Sequence, residues 1–228
     1  MNKFYLREGL DNIKICQYLS LENFLNQLMT GKYYVRRKDL FEDINERSLP
    51  INFLFVPTGV DSNQELHVKD LLNQQKIKFD RFKELSKSFV SCWTKDTLSN
   101  YFMWKVYAST YGVRIMSSIK KVIASFDNHI FKNYETYVSD VLYRKFHYND
   151  KPEDSLFVKD PLYRMEQEIR FIFLPKDESE KTEDNILLSY KYEVMIDEVL
   201  LSPFLSSAAS TFIKDSLTNM FGLKVRVK

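Results

Sequence analysis

Two glutamates and an arginine at alternate positions carry the clearest chemical potential in this sequence. Glu166, Glu168 and Arg170 open the segment EQEIRFIF, in which apolar residues fill the intervening positions from Ile169 onwards. Residues two apart in a β-strand face the same side, so the three charged side chains are predicted to share one face. We expect one of the two carboxylates to bind a sugar hydroxyl or to stabilise a developing positive charge, with its neighbour activating an acceptor. The alternative is that Arg170 only neutralises the two carboxylates at a sheet edge.

The segment FVSCWT supplies polar and aromatic side chains at the end of another predicted strand. Ser91 could hydrogen-bond a ligand, and Trp93 could stack on a base or a nicotinamide ring, as could Tyr107 in the helix that follows. Trp104, in the same helix, fits a buried core position better than a pocket. No histidine is placed to act as a base for Cys92, so its thiol is predicted to be packed.

A basic cluster follows the first predicted helix. In the segment KYYVRRKD, Arg36 and Arg37 point to opposite faces of a predicted strand near its end. Either guanidinium could contact a phosphate group. Four basic residues in one stretch also fit a solvated sheet edge, so the sequence leaves both interpretations open.

The composition limits the classes of function. With 33 Lys and Arg against 31 Asp and Glu, the net charge of +2 gives no global field that would gather nucleic acid or an anionic membrane. Two cysteines and three scattered histidines form neither a disulfide framework nor a zinc motif. No stretch nears the roughly 20 apolar residues of a bilayer span. We therefore expect a cytoplasmic protein without a metal ion, and a nuclease fits poorly because it would need more metal ligands.

The elements that must position these residues are helices and strands in irregular order. Ser20 and Gly31 are predicted to cap the first helix, and the segment DTLSNYFMWKVYASTYG is predicted to form a single buried helix. Because strands outnumber helices without βαβ alternation, we predict an α+β fold with a mixed or mostly antiparallel sheet and flanking helices, in a single domain over residues 1–228. Strands are predicted at 33–38, 49–57, 88–94, 112–116, 137–146, 167–174, 186–195, 196–202 and 223–227.

The run FVSCWTKDTLSNYFMWKVYASTYGVRI resembles an uncharacterised bacterial domain family related to the AbiGi abortive-infection proteins. Its motifs F-x-S-C-W, M-W-x-x-Y and E-x-E-x-R all have counterparts here, and the segments SLENFLNQLMTGKYYVRRKDLFEDINE and VLLSPF extend the likeness over about residues 20–212. The chain departs from the pattern at Asn100 and Tyr101, where smaller residues are usual, and in the loop EDINE, which has no proline. The resemblance implies a bacterial protein linked to phage defence or mobile elements.

A more distant resemblance is to ADP-ribosyltransferases. These enzymes place an arginine or histidine on a first strand, a serine-threonine-serine motif on a second and a glutamate-x-glutamate motif at the start of a later strand. Arg36 or Arg37, then the partial match SCW, then Glu166 with Glu168 occur in that order. The resemblance implies NAD as the cofactor, held by an arginine and Ser91 beneath an aromatic ring. Glu168 would then face the oxocarbenium-like state as the glycosidic bond breaks.

The same side chains also suit a non-enzymatic binding module of the antitoxin type, whose partner is a nucleotide, a protein or a nucleic acid. The two classes differ in one structural feature. In an enzyme, Glu166 and Glu168 should open into a concave pocket with Ser91 and an arginine, whereas in a binding module they are expected to be closed off by salt bridges.

Overall fold

A mostly antiparallel sheet with flanking helices forms the centre of the molecule, which confirms the predicted α+β class. The computed structural model describes residues 5–6, 9–10, 12–41, 65–95, 97–147, 150–177 and 179–227. Within these ranges, ten strands form the main sheet and two more form a separate parallel pair. The strands are β1 (Tyr5–Leu6), β2 (Lys14–Ser20), β3 (Lys32–Arg37), β4 (Phe89–Thr94), β5 (Gly112–Ser118), β6 (Tyr134–Asp140), β7 (Leu142–Tyr143), β8 (Val158–Lys159), β9 (Glu168–Pro175), β10 (Asn185–Ser189), β11 (Glu198–Leu201) and β12 (Val225–Arg226).

The main path through the sheet runs in the order β1, β6, β9, β4, β2, β5, β11, β12. Off this path, β3 pairs with β4 and with β10. Two pairs in the main sheet are parallel, β1 with β6 and β11 with β12, and the small separate pair β7 with β8 is parallel as well. The chain therefore brings β9, β4, β2 and β5 side by side although they are far apart in sequence.

Helices of very different length flank the sheet. None of those in the described ranges is long and apolar enough to cross a bilayer. They are α1 (Leu21–Thr30), α2 (Glu65–Leu85), α3 (Tyr101–Met103), α4 (Ile119–Ser125), α5 (Ile130–Asn133), α6 (Tyr192–Met195) and α7 (Ser207–Phe221).

Local sequence sets the ends of the first helix, as predicted. The Ser20 side chain accepts a hydrogen bond from the backbone N–H of Asn23 at 3.2 Å, and this satisfies one of the free donors of the first turn. At the other end, Gly31 adopts the left-handed conformation with φ of 61°, which a residue without Cβ enters at little cost.

The two faces of the sheet differ in what covers them. We call one the core face: its side chains, such as Ile15, Trp93, Ile115 and Phe171, belong to the largest apolar cluster of the molecule. The alternate residues point to what we call the opposite face. There, two smaller apolar clusters lie apart from each other, one around Trp104 and one around Leu156, Ile172 and their neighbours.

Several of the predicted elements differ from the observed ones. Strand β9 begins at Glu168 and not before it, because Pro161–Glu166 form a 3₁₀ helix. The predicted helix through MWKVY is a single short turn, α3, continued by a π-helical turn over Trp104–Ala108. The predicted strand over 186–195 ends at Ser189 and is followed by helix α6. The strand predicted at 49–57 and the loop EDINE lie outside the described residues.

Candidate active site

The start of β9 places two charged residues on the opposite face of the sheet. Glu168 is paired with Thr94 of β4, and Arg170 is paired with Cys92 of β4 and with Ser139 of β6. Glu168 is 3% exposed and Arg170 is fully buried. Since ionised side chains are almost never buried without partners, their surroundings must supply compensating charge and hydrogen bonds.

Arg170 holds Glu168 with two nitrogens on one edge of its guanidinium. Its Nε donates to Glu168 Oε1 at 2.8 Å, and its Nη2 donates to Glu168 Oε2 at 3.1 Å. The remaining nitrogen, Nη1, donates to the backbone carbonyl of Leu156 at 3.0 Å. This two-point contact matches the planar fork of the guanidinium to the carboxylate, so it fixes the orientation of Glu168 as well as its charge.

Lys159 connects the two glutamates. Its Nζ lies 2.7 Å from Glu166 Oε2 and 3.4 Å from Glu168 Oε2, and its side chain is 9% exposed. The short parallel pair sets its position, because β8 places Lys159 next to Tyr143 of β7. The Tyr143 hydroxyl in turn accepts a hydrogen bond from the backbone N–H of Glu168 at 2.7 Å. Two carboxylates therefore converge on one ammonium group.

Glu166 reaches this point through a turn. A 3₁₀ helix runs from Pro161 to Glu166, and Asp160 is its N-cap. The Asp160 side chain accepts a hydrogen bond from the backbone N–H of Leu162 at 2.9 Å. Gln167 then adopts a left-handed conformation with φ of 45° and ψ of 47°. This conformation is uncommon for a residue with a side chain, and it redirects the chain so that Glu166 and Glu168 both face Lys159.

Tyr107 closes the cluster from the π-helical turn. Its hydroxyl donates to Glu166 Oε1 at 2.6 Å, so each carboxylate oxygen of both glutamates has a hydrogen-bond partner. Burial, with the neighbouring Glu166 carboxylate, raises the pKa of Tyr107 well above its ordinary value. Burial likewise raises the pKa of Tyr143. Both phenols therefore stay protonated at neutral pH.

The charges of the cluster balance, with Glu166 and Glu168 against Lys159 and Arg170. Burial alone would raise the pKa of Glu168, but the positive charges of Arg170 and Lys159 outweigh it and hold that pKa well below its usual range. The Cys92 thiol adds a hydrogen bond to the same carboxylate. Glu168 is therefore an ionised acceptor in a site of low solvent exposure, where electrostatic interactions are strong.

The structure brings together four of the residues singled out in the sequence. Glu166, Glu168, Arg170 and Tyr107 form one connected cluster, although Glu166 arrives by the left-handed turn and not along a strand. Trp104 does not join them: it is fully buried and packs edge-on against Tyr18 at a ring-centroid distance of 5.0 Å.

Ser91 and Trp93 lie on the core face, away from Glu168. Ser91 Oγ is 2.6 Å from the hydroxyl of Tyr33 and accepts from Trp93 Nε1 at 3.1 Å, and both Ser91 and Trp93 are buried. The two therefore do not reach the glutamates as the sequence interpretation supposed, because alternation along β4 turns Cys92 and Thr94, and not Ser91 and Trp93, towards β9 residues Arg170 and Glu168.

The two candidate phosphate-binding arginines of β3 have different environments. Arg37 is buried and already paired: its Nε donates to Asp39 at 2.7 Å and its Nη1 to the carbonyl of Glu183 at 2.8 Å. Arg36 is exposed and lies on the strand beyond β4, paired with Val90. Neither arginine contacts the glutamate cluster, so the grouping inferred from their order in the sequence is not reproduced in space.

Three members of the site are not evident from sequence patterns. Lys159 and Tyr143 sit on two-residue strands whose pairing is set by long-range contacts, and Cys92 has no catalytic motif around it. The one local signal is the Asp160-Pro161 pair, which is typical of a helix start and places the following turn. In the described part of the chain, no group of three or more His, Cys, Asp and Glu side chains could hold a metal ion.

Comparison with known proteins finds a likeness among solved structures. No protein-family model matches the chain, and no curated protein matches it significantly. Among solved structures, DarT from Thermus sp. 2.9 in complex with ADP-ribosylated ssDNA aligns over 100% of this chain and 98% of its own, with 11% identity and a TM-score of 0.41. The same DarT in complex with NAD+ aligns over 96% of each chain, with 12% identity and a TM-score of 0.42.

Proposed function

We propose that this protein is an NAD-using enzyme that cleaves the bond between nicotinamide and ribose and passes the ADP-ribosyl group to an acceptor or to water. The observation that carries the proposal is the convergence of Glu166 and Glu168 on a single cation, Lys159 Nζ, at the start of β9. A site built from two carboxylates around one positive charge is suited to a transition state in which positive charge develops.

The chemistry uses the two glutamates in different roles. As the bond from C1′ to the nicotinamide nitrogen breaks, its electron pair leaves with nicotinamide, and C1′ becomes oxocarbenium-like. Glu168, kept ionised by Arg170, stabilises that charge. An acceptor hydroxyl, amine or water then forms the new bond to C1′, and its proton passes to Glu166.

Lys159 would leave its position when the substrate binds. The nicotinamide ring of NAD carries a positive charge, so it can replace the ammonium group between the carboxylates without leaving buried charge unpaired. Lys159 is attached to a two-residue strand, and its long alkyl chain would let the ammonium group turn outward while the backbone stays in place. Arg170 cannot move in this way, since it is fully buried and its three nitrogens are all engaged.

The test is release of nicotinamide from NAD by the purified protein, followed by ligand-observed NMR. We expect release by the wild type and a loss of at least about 100-fold in Glu168→Gln, since removing one group that stabilises transition-state charge costs about this much. Glu135→Gln serves as the matched control, because Glu135 is an exposed glutamate on the neighbouring strand β6. Circular dichroism would establish that each variant is folded. Absence of release by the folded wild type would refute the proposal without reference to any variant.

A second candidate function is recognition without turnover. One observation favours it: each of the four carboxylate oxygens of Glu166 and Glu168 already has a hydrogen-bond partner. A fully satisfied network of this kind can stabilise a fold without doing chemistry. Binding of NAD with no release of nicotinamide would favour this candidate, and the partner would then be sought by affinity capture.

We further propose a role in defence against phage, on the basis of the AbiGi-like motifs alone. The test is survival of bacteria that express the wild type or Glu168→Gln during phage infection. Protection by the wild type only would support the role, and equal survival of both would contradict it.

A further inference from the structure

Arg114 of β5 is buried on the same face of the sheet as the glutamate cluster. It is paired with Tyr18 of β2 on one side and with Leu200 of β11 on the other, and it is 7% exposed. Both neighbours belong to the apolar cluster around Trp104. A permanent positive charge therefore lies within largely apolar surroundings.

The guanidinium of Arg114 is only partly satisfied. Its Nε and Nη1 atoms are out of contact with solvent and have no hydrogen-bond partner. Its carbon Cζ lies 5.9 Å from the centre of the Tyr18 ring, and a side-chain hydrogen bond joins the guanidinium to Tyr18. The buried arginines Arg37 and Arg170, in contrast, both have a carboxylate partner. Buried donors of a charged group that lack partners reduce the stability of the fold. Their presence is explained if a bound ligand or ion accepts their hydrogen bonds.

The position of Arg114 relative to Glu168 follows from strand pairing. Glu168 is paired with Thr94, Thr94 with Cys16, and Cys16 with Met116 of β5, two residues along from Arg114 on the same face. Three spacings between strands, with an offset of two residues, separate the two Cα atoms by roughly 15 Å. A dinucleotide whose nicotinamide end lies at Glu168 would extend over this stretch of sheet.

One chain segment covers both places. Within it, Trp104 packs on Tyr18, next to Arg114, and Tyr107 binds Glu166. The segment is a π-helical turn that ends at Ser109, whose φ of 58° and ψ of −167° fall in a region that residues other than glycine rarely adopt. Displacing a strained turn costs less free energy than displacing a regular helix. The segment can therefore shift and expose the Nε and Nη1 donors of Arg114.

We propose that Arg114 binds the pyrophosphate of the substrate, with Nε and Nη1 as the donors, after the segment 101–109 moves aside. This inference rests on the proposed function, because the pyrophosphate is that of NAD or of its product ADP-ribose. Nε and Nη1 donate from different sides of the planar guanidinium, so each can meet a different oxygen of the pyrophosphate group.

The test is binding of ADP-ribose measured by calorimetry, with inorganic pyrophosphate as a competitor. We expect Arg114→Met to weaken ADP-ribose binding by about 10- to 100-fold, since hydrogen bonds to a charged group are lost. Arg114→Lys keeps the charge but not the two-point contact, so it should weaken binding less than Arg114→Met does. The matched control is Lys214→Met, which removes the positive charge of an exposed residue on α7 and should leave the affinity unchanged.

Melting temperatures distinguish ligand binding by Arg114 from a purely structural role. If Arg114 serves to bind a ligand, replacing this buried charge by an apolar side chain of similar length should leave the melting temperature of the ligand-free protein unchanged or raise it. Pyrophosphate should raise the melting temperature of the wild type and have no effect on Arg114→Met. A large fall in the melting temperature of Arg114→Met without ligand, with unchanged ADP-ribose affinity, would overturn the inference.

The outcomes separate this inference from the proposed function. If the wild type binds ADP-ribose through Arg114 but releases no nicotinamide from NAD, the anion site stands and the enzymatic proposal fails. If nicotinamide is released and Arg114→Met binds ADP-ribose as the wild type does, the enzymatic proposal stands and the anion site at Arg114 fails. Failure of the wild type to bind ADP-ribose or pyrophosphate would overturn the anion site directly.

Discussion

A buried pair of acids depends on every cation around it. Lys159 and Arg170 together balance Glu166 and Glu168, and each of the four side chains is at least nine-tenths buried. Removing one member leaves a charge without compensation in a place where water cannot reach it easily. Breaking such a pair typically costs about 3–5 kcal/mol, whereas an exposed pair is worth less than about 1 kcal/mol.

The stability of the protein should depend on acid through Glu168. Arg170 and Lys159, working against burial, lower the pKa of Glu168 in the folded protein, so this residue stabilises the fold at any pH above its unfolded pKa of about 4.3. As the pH falls below that value towards the folded pKa, the contribution is lost. Urea unfolding between about pH 5 and pH 3 should show a falling free energy of unfolding, with a shallower slope in Glu168→Gln. Equal slopes in the two proteins would contradict this explanation.

Tyr107→Phe should loosen the cover over Glu166. The change removes the hydrogen bond of 2.6 Å to Glu166 Oε1 and leaves the ring in place. Because Tyr107 is partly exposed, we expect a loss of only about 1 kcal/mol in the free energy of unfolding. Tyr111→Phe is the control: the Tyr111 side chain is exposed in the turn just after this segment, and its change should stay within about 0.5 kcal/mol. Chemical denaturation of the three proteins measures the difference.

The π-helical turn owes its position to the strand that follows it. A Cβ atom added to Gly112, the first residue of β5, would lie 2.1 Å from the backbone oxygen of Ala108 and 2.4 Å from its Cβ. Only glycine allows the turn to pack this closely on β5, next to Arg114. The contact holds the turn at its C-terminal end, while Tyr107 holds it at Glu166.

Gly112→Ala should therefore disturb the turn as a unit. The clash involves backbone that cannot rotate away, so we expect a loss of about 1–3 kcal/mol or more in stability. Hydrogen exchange should also become faster at the amides of 104–108, since the turn must lift off β5. Gly31→Ala provides a comparison of another kind, because nothing lies within 4 Å of its added Cβ and only the positive φ of Gly31 opposes the change. Unchanged exchange over 104–108 in Gly112→Ala would show that the turn does not depend on this contact.

Local elements were predictable from sequence where their signals are local. The cap residues Ser20 and Gly31 set the bounds of α1, and β-rich composition identified β4 and β9. The turn at Gln167 cannot be predicted, because a left-handed glutamine has no sequence signature. The sequence predicts an ordinary helix where the π-helical turn lies for a similar reason: its apolar residues fit both forms.

The composition of the site was only partly predictable, because strand register is a long-range property. Alternation in FVSCWT correctly groups Ser91 with Trp93, but it does not say which face of β4 meets Glu168. The pairing of Thr94 with Glu168 decides that question, and it places Cys92 beside Arg170 while Ser91 enters the core. The positions of Lys159 and Arg114 likewise depend on long-range strand pairing, which sequence patterns do not specify.

The two faces of the sheet have different roles. On the core face, Ser91 joins Tyr33 and Trp93 in a buried hydrogen-bonded group inside the largest apolar cluster. Burial raises the pKa of Tyr33 to about 12, so its hydroxyl remains a proton donor for Ser91 or Gln17. The charged residues proposed to meet a substrate all lie on the opposite face.

Ser91→Ala tests this division. It removes the acceptor for Trp93 Nε1, so we expect a loss of about 1–3 kcal/mol in the free energy of unfolding. The affinity for ADP-ribose should be unchanged, because the sheet itself separates Ser91 from the opposite face. A loss of affinity in folded Ser91→Ala would instead support the contact between Ser91 and the cofactor that the sequence suggested.

The sheet order also fixes where the two ends of the described chain emerge. The first strand, β1, lies at one edge of the main path and the last strand, β12, at the other. Seven spacings between neighbouring strands put these edges roughly 34 Å apart, before the twist of the sheet shortens the distance. Fluorescent dyes attached near Tyr5 and Val227 would therefore sit at a separation that energy transfer measures well. Such a pair would read the width of the sheet directly and would report its loss during unfolding in single molecules.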